Sequence, residues 1–357
     1  MLLAGDIGGT KTLVALMESQ TPNQGAAASL KVVHQEKYIS KDHPSLDGIV
    51  ADFLAKFPGK RPPIKAACFG VAGAIHDGKC RATNLPWSMD EINLSKVIQC
   101  DRPRVKLLND VEAAAYGMLF LEPAELIDLN PAGKDLGQGN IAVVAAGTGL
   151  GESILYWDGK RHHPVASEGG HCSFAPQTEL EVNLWRHLRA KFNGHVSYER
   201  ILSGQGFSDL FDFLVQTASF SVSPSLIKAL ATVAGDTGKR NALISEFGLE
   251  KGDELCREAL GLFLSIYGSE AGNMALKCVA HGGVYLAGGI APKMRKAFEL
   301  GTFLEGFMAK GRFATMLSGT RVRLALNQEA GLIGSAYYAL NHLASYARVS
   351  CRCSQGF

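Results

Sequence analysis

The chain has 357 residues, 46% of them hydrophobic and 20% charged. That balance excludes a disordered or fibrous polypeptide, and the length exceeds what one core usually serves, so two domains are expected. Lys and Arg total 36 against 34 Asp and Glu, for a formal net charge of +2, which excludes nucleic acid or an anionic membrane as the main partner.

Residues 2–18 predict strand, glycine turn, strand (LLAGD, IGGTK, TLVALME), and Leu30 to Tyr38 predicts a third strand. Leu46, Ile49, Val50, Phe53, Leu54 and Phe57 share one helical face; Ser45 can cap that helix and Pro58-Gly59 can end it. Strands are predicted at 64–70 and 104–108, with a helix over 111–120. The pattern then restarts: a strand over 141–146, a glycine turn over 147–151 and a strand over 153–157, which reads as a distant internal duplication. Residues 179–280 are predicted to be mostly helical, with an exposed loop or short helix over 218–240. Strands follow at 283–289 and 322–326, and a helix over 330–344 closes the fold, leaving a frayed tail at 351–357.

No apolar run reaches the ~18 residues of a membrane span, and Asp6 stands too near the start for a secretory leader. The eight cysteines are scattered and read as reduced thiols. A cytoplasmic location is therefore expected.

Forty glycines point to tight backbone turns, and three of these carry chemistry. In GDIGGTKT (5–12) the turn lets backbone N–H groups approach an anion, Thr10 and Lys11 can donate to phosphate oxygens, and Asp6 can hold magnesium through water. A plain hairpin is the alternative. AAGTGLGES (145–153) is a second strand–turn–strand; LAGGI (286–290) is a third turn, before a helix opened by Pro292, and suits a nucleoside or an α-phosphate. The spacings fit neither a Rossmann fingerprint nor a Walker-A loop, so any nucleotide is held in another way.

Asn109-Asp110 ends one strand and opens a helix. Either the carboxylate is a base for a substrate hydroxyl, or the pair is a helix cap. In EGGH (168–171), Glu168 and His171 flank two glycines and can both face one small ligand; sugar hydroxyls suit such a pair, and a metal is the rival. His162 and His163 read as residues of a polar loop, and Glu199 alone reads as a solvated residue of a short helix.

Taken in order, GDIGGTKT, TNLPW (83–87), LLND (107–110), GTGLG (147–151), EGGHCSFAP (168–176), ERILSGQG (199–206) and LAGGI (286–290) make the chain resemble the bacterial-type glucokinases. These are ATP-dependent sugar kinases of the actin-like, hexokinase-like superfamily. The resemblance implies an α/β, two-domain, ribonuclease H-like duplicated fold: a small domain of 1–120 plus 329–357, a larger one of 121–328 with a helical insertion, and a cleft between them. It implies that Asp110 is the catalytic base and that Asn84, Asn109, Glu168, His171 and Glu199 bind glucose with it. Gly5, Asp6, Ile7, Gly8, Gly9, Thr10 and Lys11, with Gly147, Thr148 and Gly149, would bind ATP phosphates; Ser203, Gly204, Gly288 and Gly289 would border the nucleotide. Magnesium, homodimers and a place in glycolysis are further implications.

Lys11 departs from the asparagine of many such enzymes toward the related ROK branch. That branch carries a cysteine-rich zinc motif after its EGGH-like segment, whereas only Cys172 follows here. No structural zinc and no repressor role are expected. The alternatives are a kinase of the same fold acting on mannose, fructose or N-acetylglucosamine, and a non-enzymatic sugar sensor. A DNA-binding sensor would need a basic helix-turn-helix, which the sequence lacks.

Overall fold

The computed structural model describes residues 1–20, 29–59, 62–134, 136–217 and 221–353, with 342–353 as backbone only. In chain order the elements are β1 (Leu2–Ile7), β2 (Lys11–Gln20), β3 (Ser29–Ile39), α1 (Leu46–Ala55), β4 (Ala66–Val71), β5 (Ile75–His76), β6 (Lys79–Arg81), β7 (Ser88–Asp90), α2 (Glu91–Ile98), β8 (Val105–Asn109) and α3 (Asp110–Gly117). There follow β9 (Leu126–Asp128), β10 (Ile141–Ala146), β11 (Leu150–Trp157), β12 (His162–Val165), α4 (Glu179–Lys191), α5 (Gly204–Thr217), α6 (Pro224–Ala231), α7 (Thr237–Glu250) and α8 (Glu254–Cys278). The chain closes with β13 (Gly283–Ala287), α9 (Ile290–Lys293), α10 (Thr302–Met308), α11 (Ala314–Ser318), β14 (Val322–Ala325) and α12 (Ala330–Cys353).

These elements form two compact units, one of Met1–Glu122 with the segment from Glu329 onward, the other of Pro123–Gln328. The first holds a five-stranded sheet ordered β3-β2-β1-β4-β8 and a small sheet ordered β5-β6-β7; the second holds a six-stranded sheet ordered β12-β11-β10-β13-β14-β9. The large sheets repeat one plan. β1 pairs antiparallel with β2 and parallel with β4, as β10 pairs antiparallel with β11 and parallel with β13. The antiparallel partners are joined by Gly8–Thr10 and by Gly147–Gly149, while the parallel partners need long crossovers. The duplication read from two short glycine motifs is thus present in the topology of both sheets.

In the first unit, the apolar stripe of α1 (Leu46, Ile49, Val50, Phe53) is fully buried in a core with Leu3, Phe69 and Trp87. Ser45 caps that helix by accepting the Gly48 N–H at 3.2 Å. Two smaller cores join α12 to the sheet, Leu332 and Ala336 packing with β1 and β2, and Ala339 with β1, β4 and β8. The backbones of α3 and α12 touch where Gly334 meets the Ala113 carbonyl and Gly117 meets the Ala330 carbonyl. A methyl group at 334 has nowhere to go. Gly334→Ala is expected to lower stability by about 1–3 kcal/mol, the size of an overpacked contact, read as a lower urea midpoint; an unchanged midpoint would contradict this packing.

In the second unit, α8 is buried along most of its length, and its Tyr267 hydroxyl donates to the Val144 carbonyl on β10 at 3.2 Å. Several local expectations change. Of the two readings of 218–240, loop or short helix, the short helix is present as α6, and α7 begins at Thr237, because Ser223 and Asp236 accept the N–H groups of Leu226 and Lys239; residues 218–220 lie outside the described residues. His162 and His163 lie on β12 rather than in a loop. His162 donates to the Gly139 carbonyl at 2.9 Å, and His163 Nε2 lies 2.7 Å from Asp158. The helix after LAGG begins at Ile290, two residues before Pro292. α12 runs to Cys353 instead of ending at 344, and 354–357 lie outside the described residues. Among the described residues no helix is long and apolar enough to cross a membrane.

Candidate functional site

The first unit brings together Asp6, the Gly8–Lys11 turn, Asn84, Asn109 and Asp110. Ile7, Val71 and Asn109 are register partners across β1, β4 and β8, so Asp6 and Asp110 both stand at the carboxyl ends of parallel strands, where open α/β sheets place their ligands. Gly5 and Ile7 are buried within β1 and pack inward. Gly9 lies against the exposed Asn84: a Cβ added there would be 2.9 Å from Asn84 Cβ.

The turn is held from outside it. Gly8 N–H donates to the Lys11 carbonyl at 3.0 Å, and Ser40 N–H to the Thr10 carbonyl at 3.1 Å. The buried Ser40 hydroxyl donates to the Gly8 carbonyl at 2.7 Å, so in its 3.0 Å contact with Thr12 it accepts. Ser40 carries no motif, and only the pairing of β3 beside β2 brings it to the turn.

Both side chains of the Asn109-Asp110 pair face the start of α3, where Asp110 Oδ1 also accepts the Val111 N–H at 3.0 Å. Asn109 is the cap: its Oδ1 accepts from Val111 at 2.9 Å and Glu112 at 3.4 Å, and Glu112 returns a bond to the Asn109 N–H at 3.2 Å. With Oδ1 occupied, Asn109 has its Nδ2 group to offer a ligand, and that group also reaches the Gly73 carbonyl at 3.4 Å. Asp110 is the first helical residue, at the helix end that favours negative charge. Burial, then the charge of Asp110, pushes the Asp6 carboxyl up to about 6; Lys11 offsets part of this and Glu329 adds to it. Gly331, at the start of α12, sits directly over Asp6.

The second unit gathers the remaining residues. His171 lies between two carboxylates, with Nε2 3.9 Å from Glu168 Oε2 and Nδ1 3.7 Å from Glu199 Oε1. Glu168 and His171 are well exposed, whereas Glu199 is 31% exposed. Glu199 is not a free surface residue: its Oε2 accepts the Leu150 N–H at 3.0 Å and packs on Gly149. What brings it there is backbone pairing. Phe174 N–H donates to the Val196 carbonyl and Tyr198 N–H to the Cys172 carbonyl, so EGGHCSF lies beside 195–198. Gly204 N–H then donates to the Gly147 carbonyl at 3.0 Å, tying SGQG to the second glycine turn.

Beside that turn opens a pocket of about 860 Å³, lined by Gly147, Thr148, Gly204, Gln205 and Gly289 together with Asn241, Ser245, Lys293 and Lys296. Its volume suits a nucleoside-sized ligand. Ser203, Gly149 and Gly288 do not line it. Ser203 is buried and its hydroxyl accepts the Gly206 N–H at 3.1 Å, which caps α5, and Gly288 packs on the Ala146 carbonyl. Asn241, which no motif marked, braces the pocket by donating to the Gly204 carbonyl at 2.7 Å. It lies on α7. Among the described residues no group of three or more His, Cys, Asp or Glu side chains is placed to hold a metal ion.

A family model described as Glucokinase matches residues 3–342. A glucokinase of Nostoc sp. is 38% identical over 346 residues, covering 95% of this chain and 98% of that protein. A glucokinase of Enterobacter sp. is 32% identical over 349 residues, covering 96% and 98%. Among solved structures, a glucokinase from an Antarctic psychrotroph superposes with a TM-score of 0.79 at 29% identity, covering 95% of this chain and 98% of that one. A ROK family glucokinase from Streptomyces griseus, solved with glucose and AMPPNP, has a TM-score of 0.60 at 19% identity over 95% and 99% of the two chains, a likeness of fold alone. The match along nearly the whole length, on a duplicated actin-like α/β fold, places this chain in the glucokinase family.

Proposed function

We propose that this chain transfers the γ-phosphoryl group of ATP to the 6-hydroxyl of D-glucose, giving glucose 6-phosphate and ADP. The observation that carries the reading is Asp110 at the first position of α3, at the strand ends beside Asp6 and the Gly8–Lys11 turn. Family membership supports the substrate pair, and proteins of similar fold have been solved with glucose and with AMPPNP.

Phosphoryl transfer asks the protein mainly for positioning and charge stabilisation. Asp110 orients the 6-hydroxyl and accepts its proton as the oxygen attacks phosphorus and the bond to the β-phosphate oxygen breaks. Asn84, Asn109, Glu168, His171 and Glu199 bind the other hydroxyls. The two glycine turns, Gly8–Lys11 and Gly147–Gly149, bind the phosphates through backbone N–H groups, and the pocket beside Gly204 and Gly289 takes the nucleoside.

Burial and the neighbouring Asp110 charge raise the cost of a bare Asp6 carboxylate, which Lys11 offsets only in part. Asp6 alone would hold magnesium, through water, since that ion keeps most of its water shell. When bound, magnesium neutralises charge on the β- and γ-phosphates. Homodimers and a cytoplasmic, glycolytic role are further parts of the reading.

The test is glucose 6-phosphate formation from Mg-ATP beside a panel of mannose, fructose and N-acetylglucosamine. Glucose is expected to have the highest kcat/KM. A folded chain that turns over another hexose faster, or none of them, overturns the assignment.

A further inference from the structure

We propose that Glu152 and Glu270, buried beneath the Glu168–His171 turn and sharing one proton, are positioning residues for the sugar-binding side chains, so that loss of the proton releases the turn and weakens sugar binding. The inference rests on reading Glu168, His171 and Glu199 as sugar ligands.

Both side chains are fully buried, Glu152 on β11 and Glu270 on α8, and the two carboxyl groups face each other with both oxygens of Glu152 lacking a partner among the described residues. Two carboxylates cannot share such a contact without a proton. The donors around them decide who carries it. Glu270 receives Lys277 Nζ at 3.2 Å on Oε1 and Asn273 Nδ2 at 2.8 Å on Oε2, while neither oxygen of Glu152 receives a donor. A buried anion without donors is costly, so Glu152 is the member of the pair that keeps its proton. Burial, then the charge of Glu270, pushes the Glu152 carboxyl up to about 8, with Lys277 offsetting part of the rise.

The pair touches both turns that carry sugar ligands. Gly169 rests on Glu152 Oε2 so closely that a Cβ at 169 would overlap it, and Gly170 rests in the same way on the Leu150 carbonyl. Asn273 also donates to the Tyr198 hydroxyl at 3.0 Å, and Tyr198 in turn faces Glu270 and precedes Glu199. The other groups facing the pair are Lys277 and Tyr267 on α8 and Lys310 after α10, whose Nζ donates to Ser269 at 2.9 Å. Behind them, Glu181 acts on Lys310 and Cys172 on Lys277. Lys277 offsets part of a charge on Glu152 but spends its hydrogen bond on Glu270, so that charge has no donor of its own and is relieved by lifting Gly169 and its neighbours.

The experiment measures the glucose KM and the melting temperature of wild type and Glu152→Gln between about pH 6 and pH 9. Gln keeps a donor toward Glu270 and cannot ionise. The wild-type KM is expected to rise roughly threefold to tenfold above about pH 8, the size of one lost hydrogen bond, while that of Glu152→Gln stays flat. The carboxyl sits near 4.5 when unperturbed and near 8 when folded. Its stabilisation is therefore full below the first value and lost as pH rises to the second, so wild type loses melting temperature relative to Glu152→Gln across that window. If Glu152→Gln does not fold, the wild-type profile alone decides, and a glucose KM that does not rise above about pH 8 overturns the inference. A wild-type KM that is flat with pH, or a rise retained by the folded Gln variant, overturns the inference alone. Absence of glucose turnover at every pH overturns the reading beneath it, and the inference with it.

Discussion

Asp110→Ala is expected to lower kcat by about 10² or more, the usual size of a lost general base, while moving the glucose KM far less. The split follows from geometry. Asn109 caps α3 and carries the capping box with Glu112, so removing the Asp110 carboxylate leaves the helix start built. What disappears is the acceptor for the 6-hydroxyl proton, which matters in the transition state and little in the ground state. Asp110→Asn is the closer isostere and should lose a comparable factor, since an amide cannot accept that proton. The check is steady-state kinetics on variants whose melting temperature matches wild type. Near-full turnover in either variant would remove Asp110 from the mechanism and leave it as a helix-start residue.

Glu199→Ala is expected to have the opposite signature, with a glucose KM raised about 10- to 100-fold and a smaller loss in kcat. A hydrogen bond to a charged group contributes roughly 1.5–3 kcal/mol, and Glu199 serves two ends. Oε1 faces His171 at 3.7 Å on the sugar side, and Oε2 accepts the Leu150 N–H at 3.0 Å at the edge of the second glycine turn. Alanine loses both, and the nucleotide KM should rise as well because Gly147–Gly149 loses its brace. Glu199→Gln keeps an acceptor for Leu150 and should restore the nucleotide KM while leaving the glucose KM raised. A glucose KM unmoved in both variants would place the sugar elsewhere.

The two glycine turns were legible because their cause is local. An apolar strand, three turn residues and a second apolar strand describe β1–β2 and β10–β11 equally, and the duplication followed from finding the pair twice. The stripe of α1 with Ser45 at its head was legible for the same reason. The Ser-, Ala- and Gly-rich composition around the cap residues Ser223 and Asp236 left loop and short helix both open where α6 and the start of α7 stand. From its own segment Glu199 reads as a solvated residue, and only the family resemblance marked it as a sugar ligand, because nothing nearby shows the Leu150 N–H, which lies 49 positions earlier.

By itself, then, the amino-acid sequence determined the order of the glycine turns and the repeated strand–turn–strand pattern, while the fold class and most side chains proposed to meet glucose and ATP came from the family resemblance those motifs carry. The turns depend on residue type and spacing along a few neighbouring positions. Tertiary structure alone decided which oxygen of which side chain is already committed. Asn109 spends Oδ1 on a cap, Ser203 turns inward to cap α5, and Ser40 crosses from β3 to hold Gly8. The buried pairing of Glu152 with Glu270 belongs there too, because two carboxyl groups 118 positions apart meet only when α8 packs across β10. Hydrogen-bond commitments of this kind join groups distant in sequence, and periodicity along the chain carries no trace of them.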